Sequence, residues 1–292
     1  MTDWIIRPMR PEDVATAERL SAESFHDLDV RTHRVGTPLP VLRPAARGET
    51  WRFRTASLLE TDPGGSWVAQ DATGMLGFAT SFTREKMWLL ATYAVRPHQQ
   101  GRGIGRPLLD AALSHGRGCL RGMFSSSDPR AVRRYRSAGF SLHPQMYVTG
   151  IVDRTQIPVV EHVREAGLSD LEMMDSVDRR TRGAAHGPDH ALLARTGRPI
   201  VSETTSGSGY AYVDGTGSIA ALAATDRRTA SRLMWAALAE STGEVTVGHL
   251  TPANEWALDV GLAARLQVHT EGYLALRGMR PPAPYIHHGA LL

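Results

Sequence analysis
At 292 residues and 42% hydrophobic side chains, the chain is long enough for two ordinary domains and too apolar for a disordered one. Its single cysteine, Cys119, excludes a disulfide scaffold, suits a reducing cytoplasm, and reads as a small buried apolar residue. The formal net charge is only +3 and almost all of the positive charge is arginine, Lys86 being the sole lysine, so the basicity reflects residue usage rather than a nucleic-acid surface. No apolar run reaches membrane-spanning length and Met1–Arg7 lacks the apolar core of an export signal, which predicts a soluble cytoplasmic protein that meets no membrane.

In chain order, residues 4–9 read as a strand. Pro11-Glu12-Asp13 then opens a helix, with Val14, Ala17 and Leu20 repeating on one face. Residues 26–62 are less regular and rich in His, Arg and Pro, with a helix expected from about Ala45 to Glu60. Three antiparallel strands follow at 66–70, 75–83 and 86–95, the first two joined at Asp71-Ala72-Thr73-Gly74.

The apolar run Trp88–Val95 leads into Arg96-Pro97-His98-Gln99-Gln100-Gly101-Arg102-Gly103-Ile104-Gly105-Arg106, and Pro107 to Leu113 reads as a helix. A strand–turn–helix with glycines at the turn aims several backbone N–H groups at one spot, where the helix dipole also favours negative charge. Gln100 through Arg106 therefore form a candidate pyrophosphate cradle. It is not the dinucleotide fingerprint, which needs a further glycine and a downstream acid, and it is not a P-loop, because Lys-Ser/Thr is missing. Beyond it come a strand near 120–125, a helix carrying Tyr135, and a strand near 142–150, which completes a mixed α/β sheet.

A second motif stands in that region: Asp128-x-x-Ala131-x-x-x-Tyr135-x-x-x-Gly139-Phe140. Together with Gln100-x-x-Gly103-x-Gly105 after a strand, it resembles the GCN5-related N-acetyltransferase (GNAT) superfamily over roughly residues 3 to 150. Asp128 replaces the usual asparagine and keeps a side chain able to cap a helix. The resemblance implies acetyl-CoA as cosubstrate, with Gln100, Gly101, Arg102, Gly103, Ile104, Gly105 and Arg106 on the pyrophosphate and Asp128 beside the cofactor. It implies that the backbone of Tyr93, Ala94 and Val95 binds the thioester, and that Tyr135 gives the leaving thiolate its proton. No metal is expected.

The second half repeats the first faintly. Val163-Arg164 followed by Ser169-Asp170 echoes Ile6-Arg7 followed by Glu12-Asp13 at the same Arg-to-Asp spacing. Strands are expected at 199–203, 210–213 and 217–224, a helix over Ala230–Glu240, and Asn254-x-x-Ala257 echoes Asp128-x-x-Ala131. The reading is two tandem GNAT-like domains, 1–150 and 158–278, with a join near Ile151–Pro158 and a tail at 279–292. At the second cradle position stands Thr225-Asp226-Arg227-Arg228-Thr229-Ala230-Ser231, with no glycine, and Gly261 occupies the place of Tyr135. That domain is expected to be degenerate and structural, walling one side of the acceptor cleft.

Acyl transfer also needs a base, because an alkylamine is protonated at neutral pH. The strand Met87–Val95 carries no acid, and Glu85 lies at its exposed start. His26, Asp29 and His33 in the variable stretch and the carboxylate of Leu292 are the alternatives, alongside a water chain. The arginines 130, 133, 134 and 136 read as a solvated helix face, with some able to meet cofactor phosphates. The expected activity is acetyl transfer to a small-molecule amine. A non-catalytic acyl-CoA sensor and a protein-modifying acetyltransferase stay open, as do the acceptor, the acyl chain length and assembly into a homo-oligomer.

Overall fold
A computed structural model describes residues 4–33 and 39–292, so residues 34–38 of the variable stretch and the first three residues lie outside it. The chain forms two compact units, Met1–Cys119 and Leu120–Leu292.

The first unit runs β1 (Ile5–Pro8), α1 (Val14–Thr32), α2 (Ala45–Thr61), β2 (Ser66–Asp71), β3 (Gly74–Arg84), β4 (Met87–Val95) and α3 (Gly105–His115). The four strands pair antiparallel in sequence order. Arg7 holds both oxygens of Asp13 at 2.7 and 2.8 Å, and Asp13 also accepts the Arg10 N–H, which fixes the chain's entry into α1. Val14, Ala17 and Leu20 of α1 share a core with Trp51 of α2 and Phe78 of β3, the last two rings meeting edge to face at 5.7 Å. Helix α3 lies on the opposite face, where Ser81 and Trp88 both donate to the carbonyl of Ala112. Two readings need correction. Helix α1 continues to Thr32, so His26 and Asp29 sit on a helix rather than in an irregular stretch, and Cys119 is half-buried rather than fully so.

The second unit contains β5 (Arg121–Ser126), α4 (Val132–Ser137), β6 (Ser141–Ile151), β7 (Arg164–Glu165), α5 (Leu171–Thr181), α6 (Asp189–Leu193), β8 (Arg198–Thr204), β9 (Gly207–Val213), β10 (Ile219–Ala224), α7 (Arg227–Ala239), β11 (Glu244–Leu250), α8 (Glu255–Ala263), β12 (Gln267–Arg277) and β13 (Tyr285–Ile286). Its strands lie in the order β5-β12-β6-β11-β10-β9-β8-β7, with β13 added on β10.

That order is not the chain order. The late strand β12 inserts between β5 and β6, running antiparallel to both, and β6 in turn lies antiparallel to β11. Each half of the sequence thus lends its last long strand to the sheet of the other. This explains why the compact units divide at Cys119, while the sequence repeat divides near Ile151–Pro158: β5, α4 and β6 belong by pattern to the first half and by pairing to the second. Below the sheet, Leu222, Leu233, Val247, Val260 and Ile286 join one apolar core.

Candidate functional site
The glycine turn lies where strand β4 ends. Against β3, Thr80 pairs with Thr92 and Ser81 with Leu90, so Ala91 is an extra residue and β4 carries a bulge just before Tyr93. The chain then turns through Pro97–Gln99 and reaches Gly101 and Gly103, whose φ angles of 84° and 86° suit only glycine without strain. A Cβ at either would meet no atom within 4 Å, so both glycines face open space.

Three side chains hold this shape. Gln100 donates its amide to the carbonyl of Val95 at 2.9 Å, Ser24 donates to the same carbonyl, and the Tyr93 hydroxyl donates to the carbonyl of Gly105 at 2.7 Å. Helix α3 begins without a side-chain cap at Ile104. Among the described residues no carbonyl accepts the N–H groups of Gly101 through Arg106. Donors at a helix N-terminus, together with the helix dipole, favour an anion. Arg102 and Arg106 remain exposed beside it, Arg102 bonded to Gln99 and Arg106 near Asp110 at 3.8 Å.

In the second unit, Tyr135 is 4% exposed on the short helix α4, with its ring 4.5 Å from that of Phe124 on β5 and 6.4 Å from that of Tyr273 on β12. Asp128 does not cap α4, whose N-cap is Ala131: its Oδ1 accepts the Arg130 N–H at 2.9 Å in the turn before the helix and pairs with that guanidinium at 3.6 Å, while its carbonyl accepts the Tyr273 hydroxyl. Arg133 and Arg136 are exposed, the latter donating to the carbonyl of Phe140.

The sequence-derived base candidates do not gather into one constellation. His26 keeps a buried Nδ1 without a partner, and burial raises the Asp29 carboxyl against the pull of His26. Leu292 is fully buried, and Arg182 donates to its carbonyl oxygen and to that of Leu291.

The second half shows what the cradle becomes without glycines. Asp226 takes the N-cap of α7, accepting the Thr229 N–H at 2.9 Å and the Thr229 hydroxyl at 2.7 Å. Burial opposes its charge, yet the bonds from Thr229 hold its carboxyl below the ordinary value. A fixed internal anion therefore sits where the first half offers open donors. The gap beside β10 is filled too. Parallel strands β10 and β11 share the pair Ile219–Val247, and beyond it β13 pairs on β10, Leu222 with Ile286 and Ala223 with Tyr285. Asn254 secures that segment by accepting the Tyr285 N–H and donating to the carbonyl of Pro282.

Sequence reasoning missed a buried polar cluster on α5, α6 and the segment between them. Asp178, His186 and His190 bring ligand atoms within 4.8 Å of one another. All but one of their ring nitrogens are paired: His186 Nδ1 meets Asp178 at 2.7 Å, His190 meets Asp175 at 3.1 Å and the Tyr212 hydroxyl at 3.0 Å, and Tyr210 donates to Asp178, while His186 Nε2 is buried without a hydrogen-bond partner. Burial raises the Asp178 carboxyl, but His186 and Arg182 outweigh it and keep the group ionised. We read the cluster as a hydrogen-bonded core.

A bulged strand, a glycine turn and an uncapped helix start meet at one place in the first unit. Residues 23–140 match the model of the acetyltransferase (GNAT) family. No curated protein matches the chain in sequence. Among solved structures, a candidate acetyltransferase of Pyrococcus horikoshii superposes with a TM-score of 0.74 at 18% identity, covering 100% of this chain and 96% of its own. A GCN5-related N-acetyltransferase from Sphaerobacter thermophilus gives 0.59 at 15% identity over 95% and 96%. One from Kribbella flavida gives 0.59 at 17% over 94% and 72%. These likenesses are of fold, and they extend over both halves. Among the described residues no helix is long and apolar enough to cross a membrane.

Proposed function
We propose that the chain transfers the acetyl group of acetyl-CoA directly to the amine of a small molecule. The observation that carries this reading is the turn Gly101–Arg106, whose N–H groups lack acceptors at the uncapped start of α3. In the proposed mechanism these donors and Gln100, Arg102 and Arg106 bind the pyrophosphate, and the backbone of Tyr93, Ala94 and Val95, beyond the bulge at Ala91, stabilises the oxyanion at the thioester carbonyl. Asp128 shapes the turn into α4, and Tyr135 donates its phenol proton to the departing thiolate. The neutral amine attacks the carbonyl carbon, the C–N bond forms, and the C–S bond breaks to leave coenzyme A as a thiol. A cytoplasmic setting fits the single cysteine.

Thiol release measured with acetyl-CoA and a panel of spermidine, an amino acid amide, an aminoglycoside and a lysine peptide tests the reading. Turnover with one of the small amines is expected. Turnover with the peptide alone would make the protein a protein acetyltransferase, and tight binding of acetyl-CoA without any turnover would make it a sensor.

A further inference from the structure
Helix α2 carries an arginine whose charge nothing in the first unit answers. Arg54 is half-buried, and its Nε is buried without a hydrogen-bond partner. The charged group that acts on it is Arg43, a like charge. Burial, reinforced by Arg43, pushes the guanidinium down to about 10, so it stays charged at neutral pH. Among the described residues the two buried acids of the unit, Glu18 and Asp62, are committed elsewhere. Glu18 is shared by Arg43 at 3.0 Å and Arg52 at 3.7 Å, and Asp62 holds Arg84 at 2.8 Å. A buried cation without a counter-ion is costly, and an incoming anion would offset that cost.

The position of Arg54 follows from the packing of the two helices. Register puts Val68, Phe78 and Ala94 in one row across β2, β3 and β4. Val14, Ala17 and Leu20 share a core with that row, and Ser24 donates to the carbonyl of Val95, so α1 crosses the strands there. Helix α2 lies beside α1. Trp51 meets Phe78, while Asp62 at the far end accepts the Thr83 N–H. From Trp51 to Asp62 a helix rises about 17 Å, and from Phe78 to Thr83 a strand covers about the same. So α2 runs along β3, and Arg54 comes level with Ala79 and Thr80.

Around α2, Gly48 and Arg52 face Glu18 on α1, where a Cβ on Gly48 would lie 2.9 Å from Oε1. Arg54 is about 200° further round than Arg52, beside the buried Trp51 and Leu58. It lies on the flank turned away from α1, toward the rows Thr80–Thr92 and Phe82–Leu89.

That flank borders the bulged strand. Thr92 pairs with Thr80, follows the bulge at Ala91 and precedes Tyr93. Alternation puts Thr92 and Ala94 on the face covered by α1 and α2. Tyr93 points the other way, its hydroxyl donating to Gly105 at the start of α3. The glycine turn therefore belongs to the α3 side, and an anion that meets Arg54 arrives with the acceptor.

We propose that Arg54 binds a carboxylate carried by the acceptor, which makes the substrate an amino acid or a similar amino-carboxylate; this rests on the transferase reading above. A guanidinium offers two parallel N–H groups to the two oxygens of a carboxylate, which orients the molecule as well as holding it. The carboxylate is unchanged by the transfer. Arg54 fixes one end of the acceptor while the amine meets the thioester, so its effect falls on acceptor binding.

The test is thiol release with acetyl-CoA and acceptors in pairs, each standard amino acid, β-alanine and γ-aminobutyrate against its own carboxamide. The unmodified protein is expected to use the best acid with a kcat/KM about 100-fold above that of its amide. This comparison needs no variant, so it decides even where a substitution unfolds the chain. Arg54→Gln is expected to raise the KM for that acid about 100-fold with little change in kcat, and to abolish the preference over the amide. Arg54→Lys, which keeps the charge without the fork, is expected to recover part of the preference. Acetyl-CoA affinity, read by calorimetry on the same samples, is expected to be the same in all three proteins. Amides or spermidine used as well as the acids by the unmodified protein would overturn the inference and leave the transferase reading standing. So would an acid preference that survives Arg54→Gln, or a loss of acetyl-CoA affinity in that variant, which would assign Arg54 to the cosubstrate. An unmodified protein that binds acetyl-CoA and turns over no amine would overturn both.

Discussion
The two halves begin alike and end differently. Each opens with an arginine that grips an aspartate six residues on, Arg7 with Asp13 and Arg164 with Asp170, and each aspartate also accepts a backbone N–H three residues earlier. The same bidentate device sets the entry into the first helix twice. At the later strand-to-helix turn the halves part. The first presents glycines and donors without acceptors, whereas the second closes its helix start with Asp226 and fills the neighbouring strand gap with its own residues Tyr285 and Ile286. An anion site is removed by two local means, a fixed carboxylate and a strand of the same chain, while the scaffold is retained.

Four changes would break or sharpen this contrast. Tyr135→Phe should lower kcat by about 100-fold or more while leaving the KM for acetyl-CoA nearly unchanged, as loss of a proton donor acting on the leaving group requires. Steady-state thiol release checks it, and an unchanged kcat would reduce Tyr135 to a packed aromatic. Gly103→Ala should weaken acetyl-CoA by about tenfold, because a φ of 86° strains any residue with a Cβ by about 1–2 kcal/mol. Calorimetric titration reads that shift, and an unaltered Kd would mean the turn does not hold the cosubstrate.

Asp226→Ala should cost about 1 kcal/mol of stability through the lost N-cap and leave turnover as it was. Chemical denaturation gives the first figure and the thiol assay the second. The smallest effect is at acid pH. The Arg164 hydrogen bonds pull Asp170 down to about 2, and those of Arg7 hold Asp13 below the ordinary carboxyl value. Depressed carboxyls contribute stability that is fully present above the ordinary carboxyl value and lost as the pH falls through the folded one. The difference in melting temperature between the wild type and Asp170→Asn should therefore be constant above about pH 5 and shrink toward about pH 2. A difference independent of pH would contradict the ion pair.

The local devices were legible in the sequence. Arg-to-Asp spacing, the glycine turn after an apolar strand, and the absence of glycine at Thr225–Ser231 are short-range patterns, and each has its counterpart in a bond or a dihedral angle. Long-range pairing was not legible. Nothing in Gln267–Arg277 distinguishes a strand that returns to its own half from one that inserts between β5 and β6, because alternation specifies which side faces the core and not which neighbour is met. Arg54 was hidden for a related reason. Arginine is common throughout the chain, and only the packing of α2 along β3 leaves this one with a buried Nε and no partner for it. The stretch around His26, Asp29 and His33 drew notice for its composition, which carries no geometry.

The central claim is that one half binds acetyl-CoA and the other has replaced that ligand with its own residues. Isothermal titration of acetyl-CoA into the full chain tests it most directly, run on the wild type and on Gly103→Asp, which places in the first turn the kind of carboxylate that Asp226 places in the second. The account predicts one acetyl-CoA per chain for the wild type and no measurable binding for the variant. Two per chain, or one that survives Gly103→Asp, would contradict it.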